Sequence, residues 1–206
     1  MKKNKLVSLV MAGVAFGFVA CNNSEKKADA TPETVVTPGV TKNTSAFNES
    51  FQKMLVTYYA VKDALVEYDT IKANTAARQL AVYADSLKVN EIRGDSTGDV
   101  KATAKNYAGT ITGSALGLAG ETELSQKKKE FSMISDAMYD LVRTVKYDKE
   151  KIYHQHCPMA LNESDEAYWL SNNSAVVNPY LGKKHPKFRD AMVGCGDVTD
   201  SLDFSR

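Results

Sequence analysis

The residues of this chain best equipped for chemistry lie in its last third. His154-Gln155-His156-Cys157-Pro158-Met159 is followed, past a tyrosine- and tryptophan-bearing stretch, by Met192-Val193-Gly194-Cys195-Gly196. Thiolate, thioether and imidazole are the donors that suit Cu(I) and, less selectively, Zn(II). Cys157 and Met159 can face one ion if Pro158 sits in a turn. Met192 and Cys195, three residues apart, fall on one side of a helical turn. His154 and His156 project to one side of an extended segment, where they would add imidazoles or serve as hand-off ligands at a rim. The same two cysteines would also make a disulfide, the default for a thiol pair in an exported protein. Closing a loop of about 40 residues, that bond would stabilise by roughly 3–4 kcal/mol in the chain-entropy treatment. Both readings of Cys157 and Cys195, metal ligands and disulfide, remain open at this level.

The expectation of export comes from the other end of the chain. Met1-Lys2-Lys3-Asn4-Lys5 precedes an uncharged run from Leu6 to Ala20. That run is shorter than the roughly 20 residues a membrane-spanning helix needs and reads as a secretory signal over residues 1–20. Phe18-Val19-Ala20-Cys21 has the layout of a lipobox, so Cys21 is expected to carry lipid and anchor the protein to a membrane. This places it in the envelope of a Gram-negative-type bacterium, facing the periplasm, at the outer rather than the inner membrane. Residues 21–45, rich in Lys, Thr, Pro, Ala and Glu, read as a flexible tether. The chain has 26 basic residues, three of them in the leader, against 25 acidic ones. The mature protein is therefore close to neutral, which excludes a basic nucleic-acid footprint.

Elements that would position the motif residues follow from periodicity. Phe47, Phe51, Met54, Tyr58, Val61, Leu65 and Tyr68 recur at alternating spacings of four and three, an amphipathic helix with Ser45 as its N-cap. Ala77, Leu80, Ala81, Ala84 and Leu87 give a second helix with a small-residue face. Ala104, Tyr107, Ala108, Ile111 and Ala115 give a third, interrupted by Gly109, Gly113, Gly117 and Gly120 and expected to fray or break near Gly113. Leu124, Lys127, Phe131, Ile134, Met138, Leu141 and Val145 give a fourth, starting at Glu121 or Thr122. The expected fold is all-α: an up-and-down four-helix bundle over residues 46–150. A loop-rich tail over residues 151–206 packs on it as part of one domain, with short strands near Ile152-Tyr153 and Val176-Val177.

Phe131-x-x-x-Ser135, Tyr153-x-x-x-Cys157-Pro158-Met159-Ala160, Tyr168-Trp169-Leu170-Ser171, Asn178-Pro179-Tyr180-x-Gly182 and Met192-x-x-Cys195-Gly196 stand in this order. Together they resemble a bacterial domain of unknown function. That domain occurs as a stand-alone exported protein and attached to adaptor subunits of copper/silver-type heavy-metal efflux systems. Between Gly182 and Met192 this chain carries a longer segment than the family's short version. The resemblance implies a role near heavy metals and an efflux or metal-handling partner; it brings no activity. No Cys-x-x-Cys, haem-attachment motif or phosphate-binding loop is present, and Cys157 beside His156 does not make a catalytic dyad, so the chain does not read as an enzyme.

Two functions follow as expectations. One is a lipid-anchored envelope protein with a copper-type site made of Cys157, Cys195, Met159 and Met192, with His154 or His156 as accessory ligand. The other is a non-metal interaction module, stapled by a Cys157–Cys195 disulfide, that docks on an envelope or efflux assembly. In the second, Met159 and Met192 fill the core, Tyr168, Trp169 and Tyr180 pack the tail on the bundle, and Asn178-Pro179-Tyr180 sets a turn.

Overall fold

A computed structural model describes residues 43–205. The leader and Cys21, with nearly all of the tether, lie outside the described residues. Four helices run α1 (Ser45–Val66), α2 (Thr70–Asp85), α3 (Asp99–Gly120) and α4 (Leu124–Val145), with one 3-10 turn at Val89–Glu91. Each packs on the next in sequence. The expected stripe of α1 is buried from Phe47 through Leu65. Tyr68 is not part of it: the helix has ended, and Tyr68 stands in the left-handed region at φ 58°. The N-cap is Thr44, one residue before the expected Ser45, with its side chain accepting from the Phe47 N–H at 3.1 Å. Asp69 caps α2 in the same way through the Lys72 N–H.

The third helix does not break. It runs unbroken through its glycines, because Ala104, Ala108, Ile111, Ala115 and Leu118 are buried between its neighbours and tertiary packing outweighs propensity. A Cβ at Gly109 or Gly113 would meet nothing within 4 Å, so these are not packing glycines. Gly117 alone lies close to α4, where an added Cβ would come 2.9 Å from the Glu130 carboxyl carbon. Lys127, placed by sequence among the apolar positions of α4, is indeed buried. Its ammonium satisfies the C-terminal end of α3, donating to the Leu118 carbonyl at 2.8 Å, the Glu121 carbonyl at 2.5 Å and the Asn74 side chain at 2.6 Å.

The all-α expectation needs correction beyond α4. The tail forms a three-stranded antiparallel sheet ordered β2-β1-β3, from β1 (Ile152–Leu161), β2 (Asp165–Ser171) and β3 (Asp197–Leu202). The fold is a helical bundle with a small sheet packed on it. The strand expected at Ile152-Tyr153 is the start of a ten-residue one, whereas Val176-Val177 lies in a loop. Leu161-Asn162-Glu163-Ser164 joins β1 to β2. Asn162 and Glu163 have positive φ and the Ser164 N–H donates to the Leu161 carbonyl, a type I′ turn that matches strand twist.

One face of this sheet meets α4 and the other is covered by the loop between β2 and β3. His154 stacks on Tyr139 of α4 at a ring separation of 3.9 Å. On the opposite face the Gln155 side-chain amide donates to the carbonyls of Asn173, Ser174 and Ala175 in the loop. The outer edge of β2 is closed by two tyrosines. Tyr58 of α1 accepts from the Leu170 N–H at 2.9 Å and is bonded to Ser135 of α4 at 2.8 Å. Tyr180 donates to the Tyr168 carbonyl at 2.6 Å. Together they satisfy backbone groups that would otherwise form an open strand edge. Removing the Tyr58 hydroxyl by Tyr58→Phe leaves a buried N–H without an acceptor. The expected cost is about 1–3 kcal/mol, read by denaturant unfolding.

Candidate functional site

β1 pairs with β2 in simple register from Tyr153↔Ser171 to Cys157↔Ala167. Side chains therefore alternate regularly over this stretch. Gln155 and Cys157, with their partners Trp169 and Ala167, face the covering loop. His154 and His156, with Leu170 and Tyr168, face α4. Four of the six expected ligands are thus divided by the sheet itself. Both sulfurs of the cysteine pair lie on the loop side, and both imidazoles lie on the other.

Cys157 is fully buried, and its sulfur stands 2.8 Å from that of Cys195; both are free thiols. Three local devices bring Cys195 there. The Met192 carbonyl accepts from the Cys195 N–H at 3.0 Å, closing a tight turn across Met192–Cys195. Asn178 then fastens that turn. Its side-chain amide donates to the Cys195 carbonyl at 2.9 Å and its N–H donates to the Val193 carbonyl at 2.7 Å, while its side-chain oxygen accepts from the N–H groups of Tyr180 and Leu181. The third device is Gly196, at φ 128°, whose missing Cβ would lie 2.2 Å from the His156 carbonyl oxygen. Only glycine lets the chain pass so close to β1.

Met159 and Met192 are both partly buried and pack against the core. The ladder between β1 and β2 is irregular after Cys157, so the alternation that separates Cys157 from the histidines does not extend to Met159. Trp169 is fully buried, edge-on to Tyr180 at 5.9 Å. Tyr168 is half-buried against both histidines. Asn178-Pro179-Tyr180 does set a turn, and it is also what holds Cys195. His185 is half-buried in the loop, stacked on Phe188.

The histidines have their own partners. His154 lies between the rings of Tyr139 and Tyr168, and burial depresses its pKa against the opposing pull of Asp200. His156 is placed between Glu166 on β2, at 3.0 Å, and Asp197 on β3, at 3.4 Å. Sequence reasoning missed Asn178 and Gly196 as positioning residues, though both stood inside the motif blocks. It had no signal for the Tyr58 edge contact, which joins residues 112 positions apart.

Among the described residues no three His, Cys, Asp or Glu side chains converge as a metal-binding group. The two sulfurs meet as a pair. Burial, then the hydrogen bond and charge of Cys157, push the Cys195 thiol from its ordinary 9.0 up to about 12. A group that the fold keeps protonated favours folding below the unfolded pKa, and that contribution is lost as pH rises towards the folded one. The reduced protein is accordingly expected to lose stability between about pH 9 and 12. Cys195→Ser should flatten that slope in urea melts run across the range with reductant present.

No curated protein and no solved structure matches the chain. The model of one family, described as a protein of unknown function (DUF3347), matches residues 54–150, from the third turn of α1 to just past α4, and stops short of Cys157 and Cys195. The match to that family thus covers most of the helical bundle on which the sulfur-bearing sheet is packed.

Proposed function

We propose that this is an exported, lipid-anchored envelope protein whose C-terminal sheet carries a soft-metal site, acting in copper-type metal binding, transfer or resistance. The observation that carries the reading is the meeting of Cys157 and Cys195. Two thiols from segments 38 residues apart are held 2.8 Å from one another by Asn178, Gly196 and the Met192–Cys195 turn. The donor set fits such a metal. Two thiolates with Met159 and Met192 within the same lobe are soft and of low coordination number, which suits Cu(I) and leaves a four-coordinate Zn(II) site incomplete. His154 and His156, across the sheet, fall outside the set. An ion shared by both sulfurs needs them to separate, and Cys195, on a loop rather than a strand, is the one that can move.

The same 2.8 Å contact favours a second reading. Transfer of two electrons to an envelope oxidant, with release of two protons, would join the sulfurs as a disulfide. The lobe would then be a stapled module for docking on an envelope or efflux partner. The two readings part on one experiment, in which protein isolated without reductant is assayed for free thiols and then, before and after reduction, titrated with Cu(I) against a competing chelator. Tight 1:1 binding that appears with the free thiols supports the metal site. A quantitative disulfide, with no Cu(I) affinity gained on reduction, overturns it in favour of the staple.

A further inference from the structure

Away from the sulfur pair, a cavity of about 590 Å³ opens where four segments meet: the first turn of α4, Tyr68 just past α1, the end of β1, and the loop carrying Leu181 to Pro186. Its size is that of a small-molecule site. Apolar wall comes from Leu124, Ala160, Leu161 and Leu181, and the polar features converge on Lys128. The Lys128 ammonium donates to the Tyr68 hydroxyl at 3.0 Å and lies 4.7 Å from the centre of that ring. Lys183 and Lys187 on the adjoining loop are paired with Glu67 and Glu163, but among the described residues no carboxylate pairs with Lys128. Burial without a counter-charge lowers its pKa to about 8, so the cation stands partly desolvated and uncompensated.

Two further donors border the same space. The Nδ1 atom of His185 accepts from the N–H groups of Lys187 and Phe188, both at 3.3 Å, which leaves Nε2 of the neutral ring carrying the proton. The first N–H groups of α4, at Leu124 and Ser125, have no side-chain cap. Two carboxylates also reach the cavity, Glu163, engaged by Lys187, and the exposed Glu123.

We infer that this cavity binds a small organic anion, its carboxylate or phosphate group paired with the Lys128 ammonium and its apolar part resting on Leu124, Leu161 and Leu181. The inference is independent of the metal reading, since it uses neither cysteine. Benzoate and inorganic phosphate serve as probes on the full chain. Benzoate at millimolar concentration should slow acetylation of Lys128 at least threefold, read by mass spectrometry, while the neighbouring exposed Lys129 labels unchanged. Calorimetric benzoate affinity should fall at least tenfold in Lys128→Met and be largely retained in Lys128→Arg, which also shows that the cavity survives substitution. Protection by phosphate as well as benzoate would assign the site to the anionic group; protection by benzoate alone would assign it to organic carboxylates. Equal labelling of Lys128 with and without both probes, or benzoate affinity unchanged in Lys128→Met, overturns the inference.

Discussion

Gly196→Ala separates the two thiols. The added methyl would lie 2.2 Å from the His156 carbonyl oxygen, 3.1 Å from its carbon and 3.2 Å from the Trp169 ring, at a φ of 128° that side chains avoid. β1 cannot yield, because it is the central strand and is laddered on both sides. Relief must come from the Cys195–Gly196 segment moving outward, which stretches the Asn178 bond to the Cys195 carbonyl and carries the Cys195 sulfur away from Cys157. A strained backbone and a broken buried contact together should cost about 2–4 kcal/mol in urea unfolding. Diamide should form the intramolecular disulfide at least tenfold more slowly than in the wild type. Gly194→Ala is the control. Nothing lies within 4 Å of a Cβ there, and its effect should stay within about 0.5 kcal/mol. Wild-type oxidation kinetics in Gly196→Ala would show that the close passage does not position Cys195.

The same glycine illustrates what could be read from the sequence and what could not. The helices were legible because a single buried face leaves a 3.6-residue period, and Phe47 to Leu65 and Phe131 to Val145 keep it almost without exception. The sheet was not. β1 is covered on one face by α4 and on the other by a loop, so the alternation that marks a half-buried strand is lost, and His154, Gln155 and His156 disguise a central strand as polar tail. The motif residues were recognisable by type, but their sidedness was not. Whether His156 and Cys157 share a pocket depends on their being consecutive in a strand rather than in a turn, and that follows from pairing with Ala167 and Tyr168. Tyr68 failed for a related reason. It kept the spacing of α1 one turn past the point where the chain leaves the helix to receive Leu181 and Gly182 from the tail.

Sidedness also orders the effects of removing each ligand type, and the order separates the metal site from the staple. Cys157→Ser with Cys195→Ser exchanges two soft donors for near-isosteric hydroxyls that bond Cu(I) poorly, and Cu(I) affinity should fall by about a thousandfold, roughly 4 kcal/mol. Met159→Leu with Met192→Leu keeps volume and removes only the weaker thioethers, so a loss of about tenfold is expected. His154→Ala with His156→Ala should leave Cu(I) affinity unchanged, because both rings face α4 and their partners are Tyr139, Tyr168, Glu166 and Asp197. Wild-type affinity should also climb with pH through neutrality. The Cys195 thiol is held protonated by burial, and each proton displaced on binding contributes up to tenfold per pH unit. A docking staple predicts another pattern: no Cu(I) dependence on any of the three pairs, and loss of the stability gained on oxidation only where the cysteines are replaced. Equal Cu(I) affinity across the wild type and the double serine variant would therefore exclude the metal site, whatever the redox state of the pair.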